Sequence, residues 1–121
     1  MNATEVGKRE IRPETIIMLL RSIGASSNFV GFKYIVHIVQ LVFENPDEQL
    51  LITKTAYPAV AKKFGVRPSS VEHAIRTVIA SCWDRYDHSD INRVAGIELE
   101  KIPTNTVFIT MLVDYLRCHG E

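Results

Sequence analysis

The spacing of small, glycine and apolar residues between Tyr57 and Arg76 constrains this chain more than any other feature. Two short helices that cross closely need a small residue at the crossing. They also need a glycine that can turn the chain between them, and apolar side chains that lock their angle. With Tyr57 as position one, Ala61 stands at the close-contact position five and Gly65 at the turn position nine. Val60, Phe64, Val66, Val71 and Ala74 supply the inward positions. Helix pairs in ordinary bundles rarely meet all of these conditions at once. The pattern predicts a helix-turn-helix over about 57–83, with helices at 57–64 and 68–83 separated by Gly65-Val66-Arg67.

The rest of the chain reads as helix as well. Pro13 opens a first helix as a first-turn proline, Glu14 suits its positive end, and Ile16, Leu19, Leu20 and Ile23 recur at helical spacing before Gly24. A second helix, about Val30 to Glu44, is apolar almost all round. Its polar stripe is Lys33, His37, Gln40 and Glu44, so it is expected to be the central helix. Asn45-Pro46-Asp47 marks a loop, and Leu50 to Ala56 carries no clear periodicity. A short helix is expected at 89–95, stopped by Gly96, then an extended connector over 97–102. A last helix capped by Thr104 or Asn105 buries Phe108, Met111, Leu112, Tyr115 and Leu116. The expected fold class is all-α: a five- to six-helix bundle containing the helix-turn-helix. Residues 1–12 form a flexible lead-in and 13–119 one helical domain, large enough for a core without metals or disulfides.

Charge separates the segments. The chain holds 14 basic and 14 acidic residues, a net of zero that would argue against a polyanionic partner if the charges were evenly spread. They are not. Residues 54–85 carry Lys54, Lys62, Lys63, Arg67, Arg76 and Arg85 against Glu72 and Asp84, a local net of +4, while residues 86–121 have a net of −3. Positive charge gathered on the helix-turn-helix is the footprint of a phosphate-facing element.

A helical wheel divides helix 68–83 into two faces. Val71, Ala74, Ile75, Val78 and Cys82 point inward, and Ser69, Glu72, His73, Arg76 and Thr77 outward. The outward set begins at the end that enters the major groove in helix-turn-helix proteins. A carboxylate such as Glu72 can accept from cytosine N4, and Arg76 can pair with guanine O6 and N7 or hold a phosphate. Lys62 and Lys63 are placed as backbone clamps, with Lys54, Arg67, Ser69 and Ser70 completing the expected DNA-binding set. The two serines double as helix N-terminal caps.

Other chemistries find little support. The spacings of His37, His73, His88, His119, Cys82 and Cys118 fit no zinc pattern, so no metal and no cofactor is expected. The cysteines read as free thiols of a reducing compartment, and Trp83 as a core or edge aromatic. A glycine-rich phosphate loop and paired carboxylates are missing, so enzyme activity is not expected. No apolar run is long enough for a membrane span, and the first dozen residues are too polar for a signal peptide.

Several motifs together resemble a known family. They are Ile52-Thr53-Lys54, Tyr57-Pro58, Ala61-Lys62-Lys63-Phe64, Val71-Glu72, Ala74-Ile75-Arg76, Trp83, Pro103-Thr104-Asn105 and Phe108-Ile109. From about residue 13 to 117 the chain resembles the C-terminal DNA-binding domain of the stage-zero sporulation response regulator of endospore-forming bacteria. The resemblance implies a six-helix bundle in the bacterial cytoplasm that binds double-stranded DNA in tandem copies or as a homodimer, contacts an RNA polymerase sigma subunit and regulates transcription. The chain departs from the family at Ser70 and His73, where the family has arginines. A neutral histidine cannot make arginine's bidentate guanine contact, so the family's site preference does not carry over with the resemblance. Asp87 to Gly96, matching the family's polymerase-contacting helix, is also altered, and the connector after it is shorter. No receiver domain precedes the bundle, and the initial methionine favours a stand-alone paralogue over an excised domain.

The expected function is sequence-specific binding of double-stranded DNA, with helix 68–83 in the major groove. The alternative is a degenerate stand-alone regulator domain that acts by protein–protein interaction, which loss of the two arginines would suit.

Overall fold

The computed structural model describes residues 10–47, 52–85 and 87–119. Among them are six α-helices and no strand. In chain order these are α1 (Pro13–Ser22), α2 (Val30–Glu44), α3 (Tyr57–Phe64), α4 (Pro68–Trp83), α5 (Ser89–Ala95) and α6 (Asn105–His119). The chain is the all-α bundle its periodicity predicts.

Local chemistry explains most helix ends. Pro13 takes the first turn of α1, where its missing N–H costs nothing. The helix closes where Ala25 N–H donates to Leu20 C=O and Gly24 N–H to Arg21 C=O, at 3.0 Å each. Ahead of α5, Asp87 Oδ1 accepts from Ser89 N–H at 2.9 Å and from the Ser89 hydroxyl at 2.7 Å. The Thr104 hydroxyl accepts from Val107 N–H at 3.2 Å, which makes Thr104 the cap of α6 and leaves Asn105 as its first residue.

α2 is the central helix, packed against α1, α3, α4 and α6. Ile35, Ile38, Val39 and Val42 on it are fully buried, and so are Ile75 and Val78 of α4 and Phe108, Ile109 and Leu112 of α6. This one apolar cluster is the core. Tyr115, expected inside it, is half-buried, and its hydroxyl accepts from Arg93 of α5 at 3.2 Å. The first nine residues of the expected lead-in lie outside the described residues. Within its remainder Ile11 is buried, its N–H donating to Glu44 Oε2 and its C=O accepting from Gln40 Nε2, both at 3.1 Å. Two members of the α2 polar stripe thus hold the approach to α1.

The stretch before α3 carries more order than its sequence suggests. Leu50 and Leu51 lie outside the described residues, but Ile52–Ala56 forms one turn of π-helix leading into α3, with Ile52 and Ala56 buried. Lys54 rides on this turn, exposed.

Candidate nucleic-acid interface

The interface begins with the turn between α3 and α4. Gly65 takes the left-handed conformation, φ +69 and ψ 34, which an L side chain rarely adopts. Its N–H donates to Lys62 C=O at 3.3 Å, and Val66 N–H donates to Ala61 C=O at 3.0 Å, so α3 stops sharply. Arg67 is extended (φ −83, ψ 152), as the residue before a proline prefers, and Pro68 starts α4. Val60, Ala61 and Val71 are buried between the helices and Phe64 is half-buried. Val66, expected inward, is 36% exposed, because the left-handed glycine swings it to the rim of the turn.

A feature that the sequence pattern does not reveal sits on the other side of α4. A Cβ on Gly31, near the start of α2, would run into the Ala74 carbonyl oxygen and lie 2.6 Å from its carbon. Glycine there lets α2 lie directly on the backbone of α4.

With one side of α4 packed in this way, the other faces solvent. Ser69, Ser70, Glu72, His73, Arg76 and Thr77 are all exposed, opposite the buried stripe of Val71, Ile75, Val78 and Cys82. Ala74 is only half-buried. The serines do not cap α4, contrary to expectation. Arg67 holds the N-cap position without a side-chain bond, and Pro68 fills the first helical one, so both serines fall inside the first turn. Neither hydroxyl bonds another described residue. Lys62, Lys63 and Arg67 are also exposed. None of the expected interface cations, Lys54, Lys62, Lys63, Arg67 and Arg76, forms an ion pair with a described carboxylate, whereas Arg93 on α5 stands 3.9 Å from Asp90.

Behind the exposed face lies a buried polar junction. Asn105, 5% exposed, donates Nδ2–H to the Glu72 main-chain carbonyl at 2.9 Å. Its Oδ1 and the Tyr57 hydroxyl are both buried without a partner of good geometry. Burial pushes the Tyr57 pKa up, although the adjacent Asn105 side chain pulls the other way. Across α2, the His37 ring meets Phe64 edge-on at 5.0 Å, and the Lys33 ammonium stands 4.8 Å from the centre of the same ring. Burial, then Lys63, then Lys33 hold the His37 pKa below its ordinary value.

The remaining candidates for chemistry are dispersed. His88 stacks on Trp83 at 3.6 Å, and His119 on Tyr115 at 4.3 Å. Cys82 is buried, its thiol pushed up to about 11, whereas Cys118 is exposed. Among the described residues no three His, Cys, Asp or Glu side chains converge on a common point, and no helix is long and apolar enough to cross a membrane. A shallow apolar groove of about 370 Å³ runs along residues 97–107, lined by Ile97, Leu99, Ile102, Pro103 and Val107.

The family model for the sporulation initiation factor Spo0A C terminal matches residues 16–116. That family is one of DNA-binding effector domains of transcription regulators and is not an enzyme family. An all-helical bundle, a helix-turn-helix turned at Gly65 and a match over nearly the whole chain agree, and the chain belongs to the Spo0A C-terminal domain family.

Proposed function

We propose that this domain binds double-stranded DNA sequence-specifically and regulates transcription, with the first turns of α4 in the major groove. The observation that carries the reading is the outer face of α4. Ser69, Ser70, Glu72, His73 and Arg76 are exposed there, Lys62, Lys63 and Arg67 flank them, and these cations have no described carboxylate partner. Side chains with no part in the fold, carrying donors, an acceptor and unneutralised charge, are what base edges and phosphates require. In this reading Glu72 and Arg76 read bases, His73, Ser69 and Ser70 border them, and Lys54, Lys62, Lys63 and Arg67 hold the backbone. A selection on random duplexes with the folded protein should enrich one motif, and affinity for it should fall steeply with salt. Enrichment of no motif would remove sequence-specific binding.

A second reading, protein–protein interaction, has an observation of its own. The groove along 97–107 exposes Ile97 (65%) and Val107 (47%) between Glu98, Glu100 and Lys101. A sigma subunit of RNA polymerase, or a second copy on tandem sites, are the partners this reading takes from the family resemblance. A charge at Val107 that abolished transcription activation but spared duplex binding would support the groove as a partner surface.

A further inference from the structure

Lys33 and His37 are successive members of the outward stripe of α2, one helical turn apart. Both converge on Phe64, the last residue of α3, and Tyr34 reaches the same ring at 5.3 Å. Lys63, adjacent to Phe64 in the chain, is exposed at the same junction. Neither Lys33 nor Lys63 forms an ion pair with a described carboxylate. Burial first, and then Lys63 and Lys33, hold the His37 pKa below its ordinary value, and the part of the two lysines marks local positive potential beside the Phe64 ring. Like charges gathered without a counter-charge work against the compact state, and a bound anion relieves that repulsion.

Position suggests which anion. Phe64, over which the Lys33 ammonium stands, is the last residue of α3, the first helix of the helix-turn-helix, and Lys63 directly precedes it, so both lysines stand at the end of that helix. In helix-turn-helix proteins the first helix crosses the DNA backbone while the second enters the major groove. We propose that Lys33 and Lys63 form a phosphate clamp at the α2–α3 junction, taking a backbone phosphodiester of the same duplex that α4 reads. The clamp rests on the duplex-binding reading above. Phe64 orders it by holding the Lys33 ammonium over its ring, and a phosphodiester rather than a base is its ligand because a lone ammonium carries charge without bidentate geometry.

The test is binding of the full chain to the selected duplex and to a scrambled one, across a salt series, for wild type, Lys33→Gln, Lys33→Arg and Lys63→Gln. Lys33→Gln should weaken both duplexes several-fold and by the same factor, and lower the slope of log affinity against log salt by about 0.9, the value for one phosphate contact. Lys33→Arg keeps the charge and should keep the slope, while thermal melting of each variant separates binding from loss of fold. An unchanged slope in folded Lys33→Gln, with wild type still binding, would overturn the clamp and leave duplex binding standing. Loss confined to the selected duplex would make Lys33 a base reader and also overturn it. Should wild type bind neither duplex, the reading and the clamp fall together.

Discussion

The side-chain amide of Asn105, at the first position of α6, donates to the main-chain carbonyl of Glu72 in the second turn of α4, at 2.9 Å. A residue from the far end of the sequence thus grips α4 directly beneath a side chain proposed to read bases. Asn105→Ala leaves a small cavity and removes this bond, and should cost about 1–3 kcal/mol in urea unfolding. Tyr57→Phe removes a hydroxyl that has no partner of good geometry, and should cost less than about 1 kcal/mol. Equal losses in the two variants would mean that the hydroxyl is bonded, and that the junction is tighter than its geometry indicates.

Gly31 gives a sign test. Within a helix, alanine is favoured over glycine by up to about 1 kcal/mol. Here the added methyl meets the Ala74 carbonyl, and overpacking of this kind costs about 1–3 kcal/mol. Gly31→Ala should therefore destabilise the domain in denaturant titration. A stabilised variant would show that α2 and α4 separate freely and that the close approach is unimportant.

His37 sets the acid edge of a pH plateau, and Cys82 and Tyr57 together set its alkaline edge. His37 has its pKa lowered by burial and by Lys63 and Lys33, so the folded chain binds fewer protons there than the unfolded one. Its contribution is complete above the ordinary value of 6.5 and is lost as pH falls from there through the lowered folded value. Cys82 is raised by burial from 9.0 to about 11, so its contribution is complete below 9.0 and is lost as pH rises through that span. Tyr57 is raised as well, chiefly by burial; its contribution is complete below the ordinary 10.0 and is lost as pH rises from there through the folded value. Asp87, held down by the Ser89 N–H and hydroxyl, acts only further into acid, below 3.8. Thermal melting from about pH 5 to about pH 11 should show a plateau, its acid shoulder flattened in His37→Gln and its alkaline shoulder flattened in part by Cys82→Ala and in part by Tyr57→Phe. Shoulders unchanged in these variants would assign them to other groups.

Labour on the helix-turn-helix should divide by side chain. Glu72→Ala and Arg76→Ala should each relax sequence preference by about 1–3 kcal/mol, the worth of one good pairing with a base edge. Lys62→Ala should instead weaken every duplex alike and flatten the salt dependence. His73→Arg should raise affinity for the box preferred by the family, by restoring a bidentate donor. Competition binding on the selected and scrambled duplexes separates these effects. A lysine variant that changed base preference while Glu72→Ala did not would reverse the assignment.

The legible parts of the fold were those written in local chemistry. Pro13, Pro68, Gly24, Gly65 and Thr104 punctuate helices through their own backbone limits or a bond within a turn, so those ends can be read directly. The 52–56 turn could not be read, because a single π turn has too few residues to establish a period. Periodicity also identifies the polar stripe of α2 without saying what stands opposite it. Lys33 and His37 face Phe64, and Gln40 and Glu44 hold Ile11, pairings that depend on chain segments about 30 residues away. The exposure of Glu72, His73 and Arg76 followed from the wheel, whereas the Asn105 grip beneath them required the tertiary structure.

α4 is held by its inner face and by the segment just beyond its end. Gly31 backs onto Ala74, His88 stacks on Trp83, and Gly24 leaves room for the Arg85 side chain just beyond the helix end. The outward side chains of its opening turns contribute almost nothing to that grip, and exposed substitutions of this sort usually move stability by no more than about 0.5 kcal/mol. Positions 69, 70, 72, 73 and 76 can therefore be rewritten in many combinations while the bundle stays intact. Under the proposed duplex-binding reading, the scaffold and its specificity would occupy separable sets of residues, which makes this helix a natural site for library selection without loss of the fold.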